Sequence, residues 1–216
     1  MERVLPDAER MLGRRIEVRY SAATVLKQSI EGGEAFDAAI LTPEVVDALM
    51  KTGHLRTGSR ADVASIELAV GIRAGAPKAS VHTADGMKRR LLAARSLTWT
   101  EGGASSGATL AMLRALGIEE QIRPRLVLQR VPGIAAETVA RGENELVFAP
   151  RSEIQTVPGV EVLGLFPPEF QRPVVMTAVI GAAARDASAA AEFVRFLIGP
   201  RASPALRDAG MTPTAR

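Results

Sequence analysis

The chain has 216 residues and a mass of 22.9 kDa, enough for one large domain or two small lobes that each bury a core. Its 47% hydrophobic and 24% charged residues argue against a disordered or fibrous chain, and aromatics at 4%, with Trp99 and Tyr20 single examples, are thin for a base-stacking nucleic-acid binder. Cysteine is absent, so disulfides, thiolate metal sites and Cys nucleophiles are ruled out, and a net charge of +3 scattered in singles and pairs forms no nucleic-acid arm.

Helical spacing predicts a first helix over 2–13, followed by a strand over Ile16–Tyr20. A helix over 24–32, a strand over Phe36–Leu41 and a helix over 43–52 come next. Thr42-Pro43 supplies the last of these with a capping residue and then a proline where a missing N–H costs nothing. A strand is predicted over Ile66–Arg73, a helix over 83–95 with Thr83 as cap, and a strand over Ser96–Thr100. Then come a helix over 107–117, a strand over Arg125–Val131, a helix over 133–142, and strands over Glu145–Ala149 and Val160–Phe166. The chain ends with a strand over Val174–Gly181 and helices over 187–198 and 201–209. Such alternation predicts an α/β protein whose sheet is covered by helices on both faces. Joints rich in Pro and Gly at 71–82 and 166–173 mark where the chain leaves one lobe and returns to it. The longest apolar run, Val174–Ala184, falls short of the roughly eighteen residues of a membrane helix, and the opening MERVLPDAERMLGRR has no signal-peptide core.

The most informative local stretch is Thr98-Trp99-Thr100-Glu101-Gly102-Gly103-Ala104-Ser105-Ser106-Gly107-Ala108-Thr109, set between a strand and a helix. A glycine turn lets backbone approach a ligand closely, hydroxyls add donors, and the helix start contributes free N–H groups and a positive dipole end. An oxyanion or carboxylate could be held there without Lys or Arg; the stretch lacks the Gly-Lys-Ser/Thr of a nucleotide P-loop. The bland alternative is a plain loop with a Ser cap. Tyr20-Ser21-Ala22-Ala23-Thr24 and Val131-Pro132-Gly133-Ile134 repeat the strand–turn–helix arrangement, and ligands of open α/β sheets bind at strand carboxyl ends. His54 and His82 have no metal-ligand spacing, Ser105 and Ser106 lack a nucleophile elbow, and no metal or cofactor is predicted.

Several stretches resemble the periplasmic molybdate-type solute-binding proteins of ABC transporters. They are Arg19-Tyr20-Ser21-Ala22-Ala23-Thr24-Val25-Leu26-Lys27-Gln28, Phe36-Asp37-Ala38-Ala39-Ile40-Leu41-Thr42, Leu68-Ala69-Val70-Gly71-Ile72-Arg73, Gly103-Ala104-Ser105-Ser106-Gly107 and Leu206-Arg207-Asp208-Ala209-Gly210-Met211-Thr212. The resemblance covers nearly the whole chain in order. It implies the two-lobed type II periplasmic-binding-protein fold, with mixed sheets flanked by helices and a two-stranded hinge. Lobe one would be 1–75 with 173–216, and lobe two 76–172. It further implies a monomer in the periplasm that takes a small oxyanion or small carboxylate between lobes through neutral donors and hands it to an ABC permease, with no nucleic acid or membrane insertion. Carried onto this chain, the ligand-binding positions would be Ser21, Thr24, Ser105, Ser106, Gly107, Gly133 and Phe148.

Three departures accompany the resemblance. The chain starts at the helix that would follow the family's first strand. The Ala22-Ala23-Thr24 turn carries alanines where molybdate binders carry serines. Phe148 stands where a ligand tyrosine is expected and has no hydroxyl to donate. An alternative on the same scaffold is an aconitate-type isomerase of small carboxylates, for which Glu101 is the available base. A transcription-regulator effector region would need a helix-turn-helix segment, which the sequence does not contain.

Overall fold

A computed structural model describes residues 4–21, 23–131 and 133–214, and the chain divides into two compact units. The first is built from Met1–Ser65 and Val175–Arg216, the second from Ile66–Val174. In chain order the first unit opens with α1 (Leu5–Leu12), α2 (Ala23–Glu31), β1 (Ala38–Leu41), α3 (Pro43–Lys51) and β2 (Ala61–Ile66). The second unit follows with β3 (Leu68–Arg73), α4 (Ala84–Ala93), β4 (Leu97–Thr100), α5 (Ser106–Ala115), α6 (Glu119–Ile122) and β5 (Leu126–Gln129). It continues through α7 (Ile134–Ala140), β6 (Leu146–Pro150), α8 (Arg151–Thr156) and β7 (Val160–Leu165). The chain then returns through β8 (Val174–Ile180), α9 (Ala187–Leu197), α10 (Ser203–Asp208) and β9 (Thr212–Pro213).

The first unit's sheet runs β1-β8-β2-β9, with β1 antiparallel to β8 and β2 antiparallel to β9. Period-2 alternation splits β8 between two cores: Ala178 and Ile180 join Val194, Leu197 and Leu206 on one face, while Val179 joins Ile30, Val46 and Leu49 on the other. Helices thus cover both faces, each contributing an apolar stripe.

The second unit's sheet runs β5-β4-β6-β3-β7. β4 is parallel to β5 and to β6, while β3 is antiparallel to both β6 and β7. On one face Trp99, Leu146 and Phe148 pack with Met87, Leu91, Met112 and Leu113 from the helices; on the other Val147 and Ala149 pack with Ala136, Val139 and Ile154. Phe148 meets Trp99 and Phe166 edge-on, at ring-centroid distances of 6.0 and 5.9 Å. Each such pair contributes about 0.5–1.5 kcal/mol beyond its buried area.

Two expectations change. The run Ile66–Arg73 is two elements, β2 ending at Ile66 in one sheet and β3 starting at Leu68 in another, so β3 lies in the second unit and the first crossing falls at Ser65–Ile66. The stretch Ile16–Tyr20 is not a strand: its alternation is right, but it lies in coil with Val18 and Tyr20 exposed. A period-2 pattern becomes a strand only where a neighbour accepts its ladder, and no described strand takes that place. Among the described residues no helix is long and apolar enough to cross a membrane.

Candidate functional site

The registers Leu97↔Leu126 through Thr100↔Gln129, with Leu97↔Leu146, bring the carboxyl ends of β4, β5 and β6 to one edge of the second unit's sheet. The β4–α5 turn, the approach to α7 and the start of α8 therefore share that edge, where α/β sheets place their ligands. The antiparallel β3 begins there. Its first residue is clamped by Gln171, which accepts from the Leu68 N–H at 2.8 Å and donates to the Leu68 carbonyl at 3.0 Å.

The β4–α5 turn is fixed by its own hydrogen bonds. Gly102 sits at φ +65°, and a Cβ on Gly103 would lie 3.0 Å from the Thr100 carbonyl oxygen, so both positions call for glycine. The Gly103 N–H donates to Thr100 O at 2.9 Å, the Ser106 N–H to Gly103 O at 3.0 Å, and the Glu101 N–H to Gln129 O at 2.8 Å. What stays open is the first turn of α5: among the described residues nothing accepts from the Gly107 or Ala108 N–H. Two unpartnered N–H groups at the positive end of a ten-residue helix suit an anion.

The predicted site residues divide. Ser105, Ser106 and Gly107 come together at this turn, but the two hydroxyls face inward. Ser105 is only 3% exposed and its Oγ donates to the Phe148 carbonyl at 3.0 Å; Ser106 Oγ donates to the Thr100 carbonyl at 2.8 Å. Both side chains therefore position the turn, and the donors left for a ligand are backbone groups. The Phe148 ring is fully buried in the core between Trp99 and Phe166, so this residue reaches the turn only through the carbonyl that holds Ser105.

Gly133 lies exposed at φ +86° before α7, and Pro132 falls outside the described residues. Ser21 and Thr24 are exposed at the start of α2, in the other unit, and Ala22 of that turn is outside the described residues. The free N–H groups at the helix start were expected from the sequence; that the Ser105 and Ser106 hydroxyls are committed to the Phe148 and Thr100 carbonyls was not.

Charge at the edge is balanced in pairs: Glu101 with Arg130 at 3.5 Å and Glu67 with Arg151 at 3.6 Å. An anion held there would rely on neutral donors and the helix dipole. Among the described residues no His, Asp or Glu cluster could hold a metal ion.

Set beside known proteins, residues 1–212 match the family model described as bacterial extracellular solute-binding protein. Aconitate isomerase from Pseudomonas sp is 22% identical over 215 residues, covering 97% of this chain and 82% of that protein. The periplasmic molybdate-binding protein of Azotobacter vinelandii superposes with a TM-score of 0.80 at 20% identity, covering 98% of this chain and 93% of that one. The sulfate-binding protein SubI from Mycobacterium tuberculosis H37Rv does so with a TM-score of 0.76 at 18% identity, covering 99% and 82%. At these identities the superpositions speak for the fold.

Proposed function

The chain belongs to the bacterial extracellular solute-binding protein family, and on that premise we propose that it captures a small molybdate-like oxyanion, or a small carboxylate, for an ABC permease in the periplasm. One observation carries the reading: the β4–α5 turn presents the unpartnered Gly107 and Ala108 N–H groups at the strand edge where such ligands bind. Preorganised backbone donors can replace an anion's hydration shell without a formal countercharge, which favours a fully ionised ligand that must later be released. The names of the fold neighbours, a molybdate binder and a sulfate binder, point to the same ligand class.

A second reading, isomerisation of a small unsaturated carboxylate, is favoured by the aconitate isomerase relative, which aligns with 97% of this chain. It requires a base beside the bound carboxylate. Glu101 follows β4 directly, and its exposed carboxylate is held by Arg130.

A thermal-unfolding panel with molybdate, tungstate, sulfate, phosphate, citrate and the two aconitates tests both. A ligand at a hundred times its Kd should stabilise the fold by about 2.7 kcal/mol. Stabilisation by molybdate and tungstate is the expected result. Conversion of cis- to trans-aconitate, followed by NMR and lost in Glu101→Gln, would transfer the assignment to the isomerase.

A further inference from the structure

The sheet edge that carries the β4–α5 turn holds a carboxylate that the ion pairs there leave out. Pro150 ends β6 opposite Leu68, the first residue of β3, so α8 begins at that edge, and Glu153 is the third residue of α8. The same strand end is tied to the turn, because the Phe148 carbonyl accepts from the Ser105 hydroxyl at 3.0 Å. Ser152 and Ile154 are buried on either side of Glu153, while Glu153 itself keeps contact with solvent. Its carboxylate has no hydrogen-bond or ion-pair partner among the described residues. Glu101 and Glu67, by contrast, are held by Arg130 and Arg151.

The charges on the elements packed against α8 do not compensate Glu153. β6 carries none over Leu146–Pro150. Arg73 of β3 and Glu161 of β7, in register with Val160 and Ile72, lie toward the opposite edge, and Glu161 is engaged by Lys78 at 3.2 Å. Glu137 of α7 faces Arg141 at 3.6 Å, and Arg151 of α8 itself is drawn to Glu67. Arg172, beside the Gln171 that clamps Leu68, donates to the Glu169 and Gln171 carbonyls. With no cation beside it, and with protein packed around it closely enough to withdraw water, the Glu153 carboxyl is held above its ordinary pKa. An ionised acid at an edge that receives an anion is opposed by the ligand's charge. Once neutral, the same group is an O–H donor.

We propose that Glu153 is the proton-linked residue of the anion site: a fully ionised oxyanion binds with uptake of a proton from solvent onto the Glu153 carboxylate, so affinity falls as pH rises. The proposal rests on the anion-binding reading of this edge. The test is calorimetric titration with molybdate and with sulfate, both fully ionised between about pH 6 and about pH 8, on the wild type and Glu153→Gln at fixed ionic strength. The wild-type Kd should rise at least about fivefold across that range, within the tenfold per pH unit that uptake of one proton allows. Glu153→Gln, which keeps a neutral donor, should bind at both pH values as the wild type does at the lower one. Two buffers of different ionisation enthalpy at about pH 7 should show proton uptake in the wild type and none in the variant. Because Glu153 is exposed and unpaired, the ligand-free variant should unfold no earlier than the wild type. A wild-type Kd independent of pH would overturn the role of Glu153 and leave the anion site standing. So would an equal slope in the variant, which would pass the titration to His54 or His82. No saturable binding of either anion at either pH would overturn the anion reading and this proposal with it.

Discussion

At the scale of single residues, the Ser105 hydroxyl donates to the Phe148 carbonyl at 3.0 Å, so Ser105→Ala should act on stability first, costing about 1 kcal/mol in urea unfolding followed by Trp99 fluorescence. Ser105 was legible as a site residue from its place after two glycines, but that partner, 43 positions away, is one no local pattern could supply. Glu145 gives a pH signature. Burial works to raise its pKa, but the Arg95 N–H and the Arg90 guanidinium prevail and hold the carboxyl below its ordinary value. A group depressed on folding contributes stability above its unfolded pKa and loses it as pH falls through the folded value. Glu145→Gln, which leaves the largely buried Arg90 without its counter-ion, should cost about 1–3 kcal/mol near neutral pH. The gap between the two unfolding curves should close below about pH 5 as wild-type Glu145 takes up its proton.

At the scale of elements, most helices and strands were readable because their apolar period matched a face that the fold does bury. The failures have two opposite causes. β2 is mostly small or polar (Ala61, Asp62, Ala64, Ser65), and α8 is six residues long, so neither carries enough period to be seen, whereas Ile16–Tyr20 carries the period without a neighbouring strand. The start of α5 is the element on which the functional reading turns. Gly107 lies in its first turn, where an added Cβ meets nothing within 4 Å. Gly107→Ala should thus keep the donor and bind as the wild type does, with helix propensity adding up to about 1 kcal/mol. Gly107→Pro deletes that N–H in the turn where a helix best tolerates proline, and should weaken the ion that stabilises the wild type at least tenfold, about 1.4 kcal/mol. Retained affinity in the proline variant would remove this helix start from the site.

At the scale of the whole molecule, the two units differ in how the chain builds them, and that difference can be measured. Everything the second unit's sheet needs lies within Ile66–Val174: five strands, the Trp99–Phe148–Phe166 contacts, and the Gln171 clamp that fixes the first residue of β3. The first unit has no such continuity, because β8, from the returning segment, pairs with β1 from the opening one, and β9 pairs with β2. Of the two Pro- and Gly-rich joints, the one at 166–173 lies just ahead of the return at Val174–Val175, whereas the one at 71–82 lies inside the second unit. The crossing at Ser65–Ile66 was not legible, because Ile66–Arg73 reads as one apolar run and only pairing partners assign its first residue to β2 and the rest, from Leu68, to β3. A polypeptide of residues 66–174 should therefore fold alone, with cooperative urea unfolding and the blue-shifted emission of a buried Trp99, which is 2% exposed in the full chain. Residues 1–65 alone should remain unfolded by circular dichroism, since each of their two strands lacks a neighbour that the returning segment provides. A red-shifted, non-cooperative 66–174 fragment would mean that its core depends on the rest of the chain.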